Sequence, residues 1–333
     1  MEPPEVTVSS EPQPGPKHRL RLVTVVLALA TLLTGGGIAL WTRYPGQAPV
    51  VTSARLPWLS GTMAGDPGEA ASWAAFRGRP VDIAVDYLPS ERWAFWDDPI
   101  SFFEKYAGWQ GRVSVSLAPF PADGSNYAGL NVGLYDQHFV NFGREMVAAG
   151  HADWPIRLAW EADGDWLPWG VGNNAHGTAD DFKNGFRRAV IAIRQGNPQA
   201  IIDLTLGADA YNRLWPGDSY VDIVGTDYYD MAALRGDFKK VAEGPKGINT
   251  GIAFARAHKK KFSVAEWGVV SQVPYGGGDN PSFIQGMYDI FKANADVIAY
   301  EAYFSSAAEG DVKSSLVDPN QNPRSSALYR RLW

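Results

Sequence analysis

Apolar residues recur along most of this chain in short runs separated by helix-patterned stretches. Eight runs have strand character: LPWLSGT near Leu56, VDIAVDYL from Val81, RVSVSLAPF from Arg112, IRLAWEADG from Ile156, IIDLTLG from Ile201, VDIVGTDYY from Val221, KFSVAEWGV from Lys261 and VIAYEAYF from Val297. Between them, Phe182, Phe186, Val190 and Ile193 share one face of a stretch that Thr178 caps and Gly196 with Pro198 ends, while Asn280 and Pro281 open another helix. Alternation of this kind predicts a parallel α/β fold. Eight strand-helix units over roughly 280 residues predict a (β/α)8 TIM barrel, usually about 250 residues long. An open doubly wound sheet is the alternative, but the first strand lacks the glycine-rich phosphate-binding turn such folds usually carry.

The first forty residues follow another pattern. Residues 1–21 are rich in Pro, Glu and Ser, with too little apolar periodicity to fold, and read as a disordered tail. Leu22 to Leu40 carries no charge and ends against Trp41, so residues 22–41 predict a single N-terminal transmembrane signal anchor about as long as the ~30 Å hydrocarbon core. Lys17, Arg19 and Arg21 precede it and Arg43 follows, which places the tail in the cytoplasm and the remainder outside the cell membrane. A cleaved signal peptide is the other reading, although the run exceeds an ordinary signal core and no AxA site follows. Residues 42–52 read as a linker and 53–333 as the catalytic barrel.

Composition narrows the function. Of 333 residues 45% are hydrophobic, enough for one large core, and 30 Lys and Arg against 36 Asp and Glu leave a net charge of -6 without a basic stripe. Nucleic acid is therefore not the expected partner. Absence of Cys removes disulfides, thiolate metal sites and a Cys nucleophile, and the five His show no HExxH spacing, so neither a metal nor another cofactor is expected. Neither GxSxG nor GxxxxGK occurs, and the loose GxGxxA at Gly170, Gly172 and Ala175 has no acidic partner.

Catalytic groups of such a barrel stand at the C-terminal ends of its strands. Glu161 closes the fourth run and Glu266 the seventh, and a carboxylate in an apolar strand end is costly unless paired or functional. Two of them across one barrel mouth, set among tryptophans, suit glycoside hydrolysis, in which one carboxyl protonates the leaving oxygen and the other supports or attacks the anomeric carbon. A rim charge network is the structural alternative. Trp160, Trp166, Trp169, Tyr229, Trp267 and Tyr303 are the candidate substrate-binding side chains; Trp169 fits loop packing equally well. Trp93 and Trp96 extend a groove or fill the core, Asp227 and Tyr228 shape the sixth strand's end, and Asp218 belongs to a turn. Gly276 to Gly278 read as a lid or a plain surface loop.

WEADGDWLPWG resembles the acid/base segment of glycoside hydrolase family 26, commonly His-Glu-x-Asn-Gly-x-Trp-x-Pro-Trp, and WPGDSYVDIVGTDYYD at Trp215 to Asp230 resembles its WPGDxYVDxxGxDxY segment. AEWGV completes the set, in the family's order. The resemblance implies a retaining barrel with Glu161 as acid/base, Glu266 as nucleophile, Trp166 in contact with substrate and Tyr229 donating to the nucleophile. Trp160 and Asp163 depart from the family's His and Asn, and indole has no acceptor to replace imidazole's. The expectation is therefore a retaining glycosidase acting on a polysaccharide or oligosaccharide other than plain β-mannan. A catalytically weak barrel that binds glycan during assembly or export is the alternative.

Overall fold

The computed structural model describes residues 55–231, 238–272, 276–308 and 312–333. The predicted tail, membrane span and linker all lie outside the described residues, and among the described ones no helix is long and apolar enough to cross a membrane. The eight apolar runs form eight parallel strands: β1 Leu59–Met63, β2 Ile83–Tyr87, β3 Arg112–Leu117, β4 Pro155–Leu158, β5 Ile201–Thr205, β6 Ile223–Tyr229, β7 Lys261–Gly268 and β8 Ile298–Tyr303. They close into a barrel in sequence order, with β1 pairing β8 from Leu59 opposite Tyr300 to Thr62 opposite Tyr303. Closure leaves no open sheet edge.

The helices form where the pattern placed them. Thr178 caps Ala179–Gly196 in a reciprocal capping box with Asp181, worth about 1 kcal/mol, and Phe182, Phe186, Val190 and Ile193 are all buried along it. Asn280 accepts from Ser282 N to cap Pro281–Ala293. Inside the barrel Ile83, Val85, Ile223, Ala265, Tyr300 and Ala302 pack into an apolar cluster, with Leu59 and Ile201 against it. Nearer the mouth the interior turns polar, with Ser116, Arg157, Asp203 and Thr205 wholly buried.

Two irregularities set the mouth. Gly225 of β6 pairs with Ser263 of β7, but Asp227 pairs with Glu266, so two steps along β6 match three along β7. Such a bulge reverses which side chains face inward beyond it. It turns Glu266 into the barrel and Trp267 outward. The second irregularity follows β4, which ends at Leu158 and not at Glu161 as the sequence predicted. Ala159 and Glu161 both hold left-handed backbone with φ of 51°, a conformation unfavourable for residues with a Cβ. Hydrogen bonds from Ala159 N to Leu117 O and from Glu161 N to Thr205 O, each 2.9 Å, hold the segment to its neighbours.

Asp218 lies in the predicted turn, a short 3-10 helix Asp218–Tyr220 before β6, paired with His258 Nδ1 at 2.7 Å and accepting from Trp215 Nε1 at 2.9 Å. That half of the WPGD segment therefore sits at the end of the barrel where strands begin, opposite the mouth.

Candidate active site

Glu266 is nearly buried and lies within a cradle of donors. Tyr87, the last residue of β2, donates to Oε1; Arg157 Nη1 donates to the same oxygen at 2.8 Å; Tyr229 donates to Oε2 at 2.9 Å. Arg157 belongs to β4 and is fully buried, with Nη2 paired to Asp227 on β6 and Nε donating to Thr205 Oγ1 at 3.2 Å. Burial opposes its charge, but Asp227 and Glu266 more than offset that and hold the guanidinium firmly protonated. Burial, and next the Glu266 charge, push both Tyr87 and Tyr229 well above the usual phenol range, so both remain donors. Tyr229 thus reaches Glu266 from the end of β6.

Glu161 is half-buried beside this cradle, with Trp166 Nε1 donating to its Oε2 at 3.2 Å. Burial, followed by the charge of Glu266, pushes its carboxyl up to about 7, against the pull of Arg157. One carboxyl is thus surrounded by donors and a cation while the other is raised toward neutrality. A carboxyl raised toward neutrality is able to give up a proton near pH 7.

The aromatic candidates divide. Trp166 is 40% exposed and packs over Gly164, where a Cβ would meet its ring at 2.4 Å. Trp160 is nearly buried, edge-on to Tyr87 and Trp169, so its indole walls the Glu266 side of the mouth. Trp169 donates to the Trp160 carbonyl at 2.9 Å and its own carbonyl accepts from Tyr127, which makes it a buried loop anchor and not a sugar platform. Trp267 and Tyr303 are corrections of a plainer kind. Both are wholly buried on the outer face of the barrel, Trp267 against Phe291 and Trp333 with its Nε1 on Glu301 at 2.6 Å, Tyr303 on the Ser314 carbonyl at 2.8 Å. Neither has surface to offer a sugar. Adjacent strand residues face opposite ways, so Glu266 inward requires Trp267 outward.

Trp96 fills the core, and Trp93 is half-buried, stacked on His138 with its Nε1 on Ser125 at 3.1 Å. Asp227 does more than shape a strand end, since it pairs with Arg157 beside Glu266. Asp163 accepts from Gly207 N at 3.2 Å, and burial raises its carboxyl. Gly276 and Gly278 are tied by hydrogen bonds to Gln272 and Val270, and Gly277 to Asp230. Among the described residues no cluster of His, Asp or Glu could hold a metal ion.

Arg157, Tyr87 and Asp203 escaped the sequence reading, yet each carries the signal that exposed the glutamates. Arg157 and Asp203 are charges inside the apolar runs IRLAW and IIDLTLG, and Tyr87 is a polar residue closing VDIAVDY.

Known proteins resemble this chain across the segment that carries the site. Residues 152–271, which include both glutamates, Arg157 and Tyr229, match the family model "Glycosyl hydrolase family 26". Endoglucanase H of Acetivibrio thermocellus is 22% identical over 277 residues, 79% of this chain and 29% of that protein, and a beta-1,3-xylanase of Alcaligenes sp. is 27% identical over 140 residues, 39% of this chain and 26% of that protein. The chain thus spans less than a third of the length of these curated relatives. The fold is shared with the catalytic domain of the Bacillus sp. JAMB-750 GH26 endo-beta-1,4-mannanase, at a TM-score of 0.56 and 18% identity over 76% of this chain and 78% of that one. It is shared equally with the Bacillus subtilis mannanase BCman, at a TM-score of 0.56 and 19% identity over 83% and 85%. By its barrel, the order of its motifs and the matching segment, the chain is similar to glycosyl hydrolase family 26 and diverges from it in sequence.

Proposed function

We propose that the protein is a retaining glycoside hydrolase, with Glu161 as acid/base and Glu266 as nucleophile, and that it needs no cofactor. The observation that carries this reading is the contrast between the two carboxyls: Glu161 raised to about 7 at the open side, Glu266 fixed among Arg157, Tyr87 and Tyr229. In the first step Glu161 gives its proton to the glycosidic oxygen as a Glu266 oxygen bonds to the anomeric carbon and the leaving group departs. Oε2 is the freer oxygen, because Oε1 carries both Arg157 and Tyr87. Loss of the Glu266 charge then keeps Glu161 ionised after it has given up its proton, so that it is free to accept one from water, whose oxygen displaces Glu266. Trp166, beside Glu161 and exposed, supplies a stacking face for a pyranose ring.

The substrate is a polysaccharide or oligosaccharide. The names of similar proteins, an endoglucanase, a beta-1,3-xylanase and an endo-beta-1,4-mannanase, define the first panel to try. Residues 22–41 hold the chain in the cell membrane as a single span, with the barrel on the extracytoplasmic side.

Release of reducing ends from a β-glucan, β-xylan and β-mannan panel tests the activity, and NMR of the first-formed anomer tests the mechanism. Retention of the anomeric configuration is expected; net inversion removes Glu266 from the nucleophile role. Glycan binding without turnover by the intact protein would select a binding barrel in place of an enzyme.

A further inference from the structure

Beneath the two glutamates and Asp227 lies a further acid, Asp203, for which double displacement has no use. It belongs to β5, pairs in register with Arg157, and is wholly buried. Three hydroxyls converge on it: Ser263 Oγ and Tyr300 OH on Oδ2, both at 2.6 Å, and Thr205 Oγ1 on Oδ1 at 3.1 Å. Burial pushes its carboxyl up, against the pull of these donors and of Arg157. The neighbouring strand leaves space for the cluster. A Cβ at Gly225 would stand 2.5 Å from Asp203 Oδ1 and Ser263 Oγ and 2.6 Å from Thr205 Oγ1.

The directions of these bonds are fixed by chemistry. Arg157 has only donors, so Thr205 Oγ1 must accept from its Nε, and the one proton of the Thr205 hydroxyl must go elsewhere. Asp203 Oδ1 is the acceptor that takes it. The carbonyl of Thr205 meanwhile accepts from Glu161 N at 2.9 Å, so this residue touches the supports of both glutamates. Arg157 is held at three points, by Thr205 at Nε, Glu266 at Nη1 and Asp227 at Nη2.

We propose that Asp203 and Thr205 are positioning residues of the reaction: Asp203 orients the Thr205 hydroxyl, and that hydroxyl anchors the Nε edge of Arg157 so that Nη1 stays aimed at Glu266. The inference rests on Glu266 being the nucleophile. Its weight falls on the covalent intermediate. While Glu266 is an ester its charge is gone, and Asp227 would draw the guanidinium away but for the Thr205 anchor. The return step, in which Glu266 leaves as a carboxylate, needs Arg157 in place.

The test uses the full chain with Thr205→Val, nearly isosteric and lacking only the hydroxyl, Thr205→Ser, which restores it, and Asp203→Asn. One readout is independent of turnover: the 15N NMR signal of the Arg157 Nε–H, identified by its loss in Arg157→Lys. Its exchange with water should quicken more than tenfold in Thr205→Val and return to within threefold of wild type in Thr205→Ser. The second readout is turnover of 2,4-dinitrophenyl β-glycosides of glucose, mannose and xylose. For the glycoside accepted, Thr205→Val and Asp203→Asn should lower kcat at least tenfold and lower KM with it, because the intermediate accumulates, and Thr205→Ser should recover both. An unchanged Nε–H exchange in Thr205→Val overturns the proposal. So does altered exchange with kcat and KM both as in wild type. If the wild type turns over none of the glycosides, the glycosidase reading fails, while the exchange measurement still decides whether Thr205 anchors Arg157.

Discussion

At the scale of single residues, the proposed role of Glu161 ties both rate and stability to its proton. With its carboxyl raised to about 7, the form able to act as acid is lost above that pH. For substrates with poor leaving groups, kcat/KM should fall close to tenfold per pH unit beyond about 7, as a pH-rate profile would show. Glu161→Gln should cost about 10²- to 10⁴-fold on those substrates, yet still let an activated aryl glycoside form a covalent adduct visible by intact mass. Glu266→Gln should form no adduct with any substrate; a covalently labelled Glu266→Gln protein would refute the assignment. The same raised carboxyl destabilises the fold when ionised. Its folded value exceeds the ordinary 4.5, so the native state holds more proton between about 4.5 and 7, and stability is lost as pH rises through that window. Glu161→Gln should therefore gain on wild type as pH rises from 4.5 to 8, by at most about 3 kcal/mol, less what solvent at a half-buried group screens. Denaturant midpoints at pH 4.5 and pH 8 measure it, and an equal difference at both would disprove the linkage. Trp160, which offers a donor and no acceptor, predicts slow or no hydrolysis of linear β-mannan. Turnover of mannan at about 10 s⁻¹, ordinary for an enzyme, would contradict it.

At the scale of elements, the positions of the strands were legible and the directions of certain side chains were not. All eight runs became strands because a parallel strand covered on both faces must be apolar throughout, a signal that needs no partner to read. Glu161 and Glu266 stood out in those runs for the same reason. What failed was parity. The bulge that turns Glu266 inward arises from the match of β7 to β6 and β8, a property of three strands that the sequence of one does not display. Trp267 and Tyr303 were accordingly placed at the mouth and are found behind it. The left-handed turns at Ala159 and Glu161 were equally hidden, since neither residue type announces that conformation. Two substitutions separate the faces. Trp267→Ala removes a buried ring and leaves Glu301 short of a donor, and should cost about 3 to 5 kcal/mol in thermal or denaturant unfolding with KM unchanged in the folded fraction. Trp166→Ala should do the reverse, leaving stability within about 0.5 kcal/mol and raising KM severalfold. A Trp267→Ala protein as stable as wild type would mean that the ring does not fill the space between β7 and the helices around it.

At the scale of the whole molecule, the closed ring of strands decides what the barrel needs from the rest of the chain. The sheet closes between Leu59 and Tyr303, with β1 sealed against β8, and the helix Pro323–Leu332 covers the outside with Tyr329 packed edge-on to Trp73. Every described strand and every described buried partner of the two glutamates lies beyond residue 52, and a domain with its own complete core folds alone. Deleting residues 1–52 should therefore give a protein that is soluble without detergent and melts within about 2 °C of the full chain, a shift equivalent to less than about 1 kcal/mol for a domain of this size. The full chain should instead sediment with membranes, because Leu22 to Leu40 is uncharged over a length that matches the hydrocarbon core. Lys17, Arg19 and Arg21 on one side against Arg43 alone on the other predict its direction. Protease added to intact spheroplasts should then remove a C-terminal tag while an N-terminal tag survives until lysis. Protection of the C-terminal tag would reverse the orientation, and release of the full chain into the soluble fraction would remove the anchor, without touching the assignment of Glu161 and Glu266.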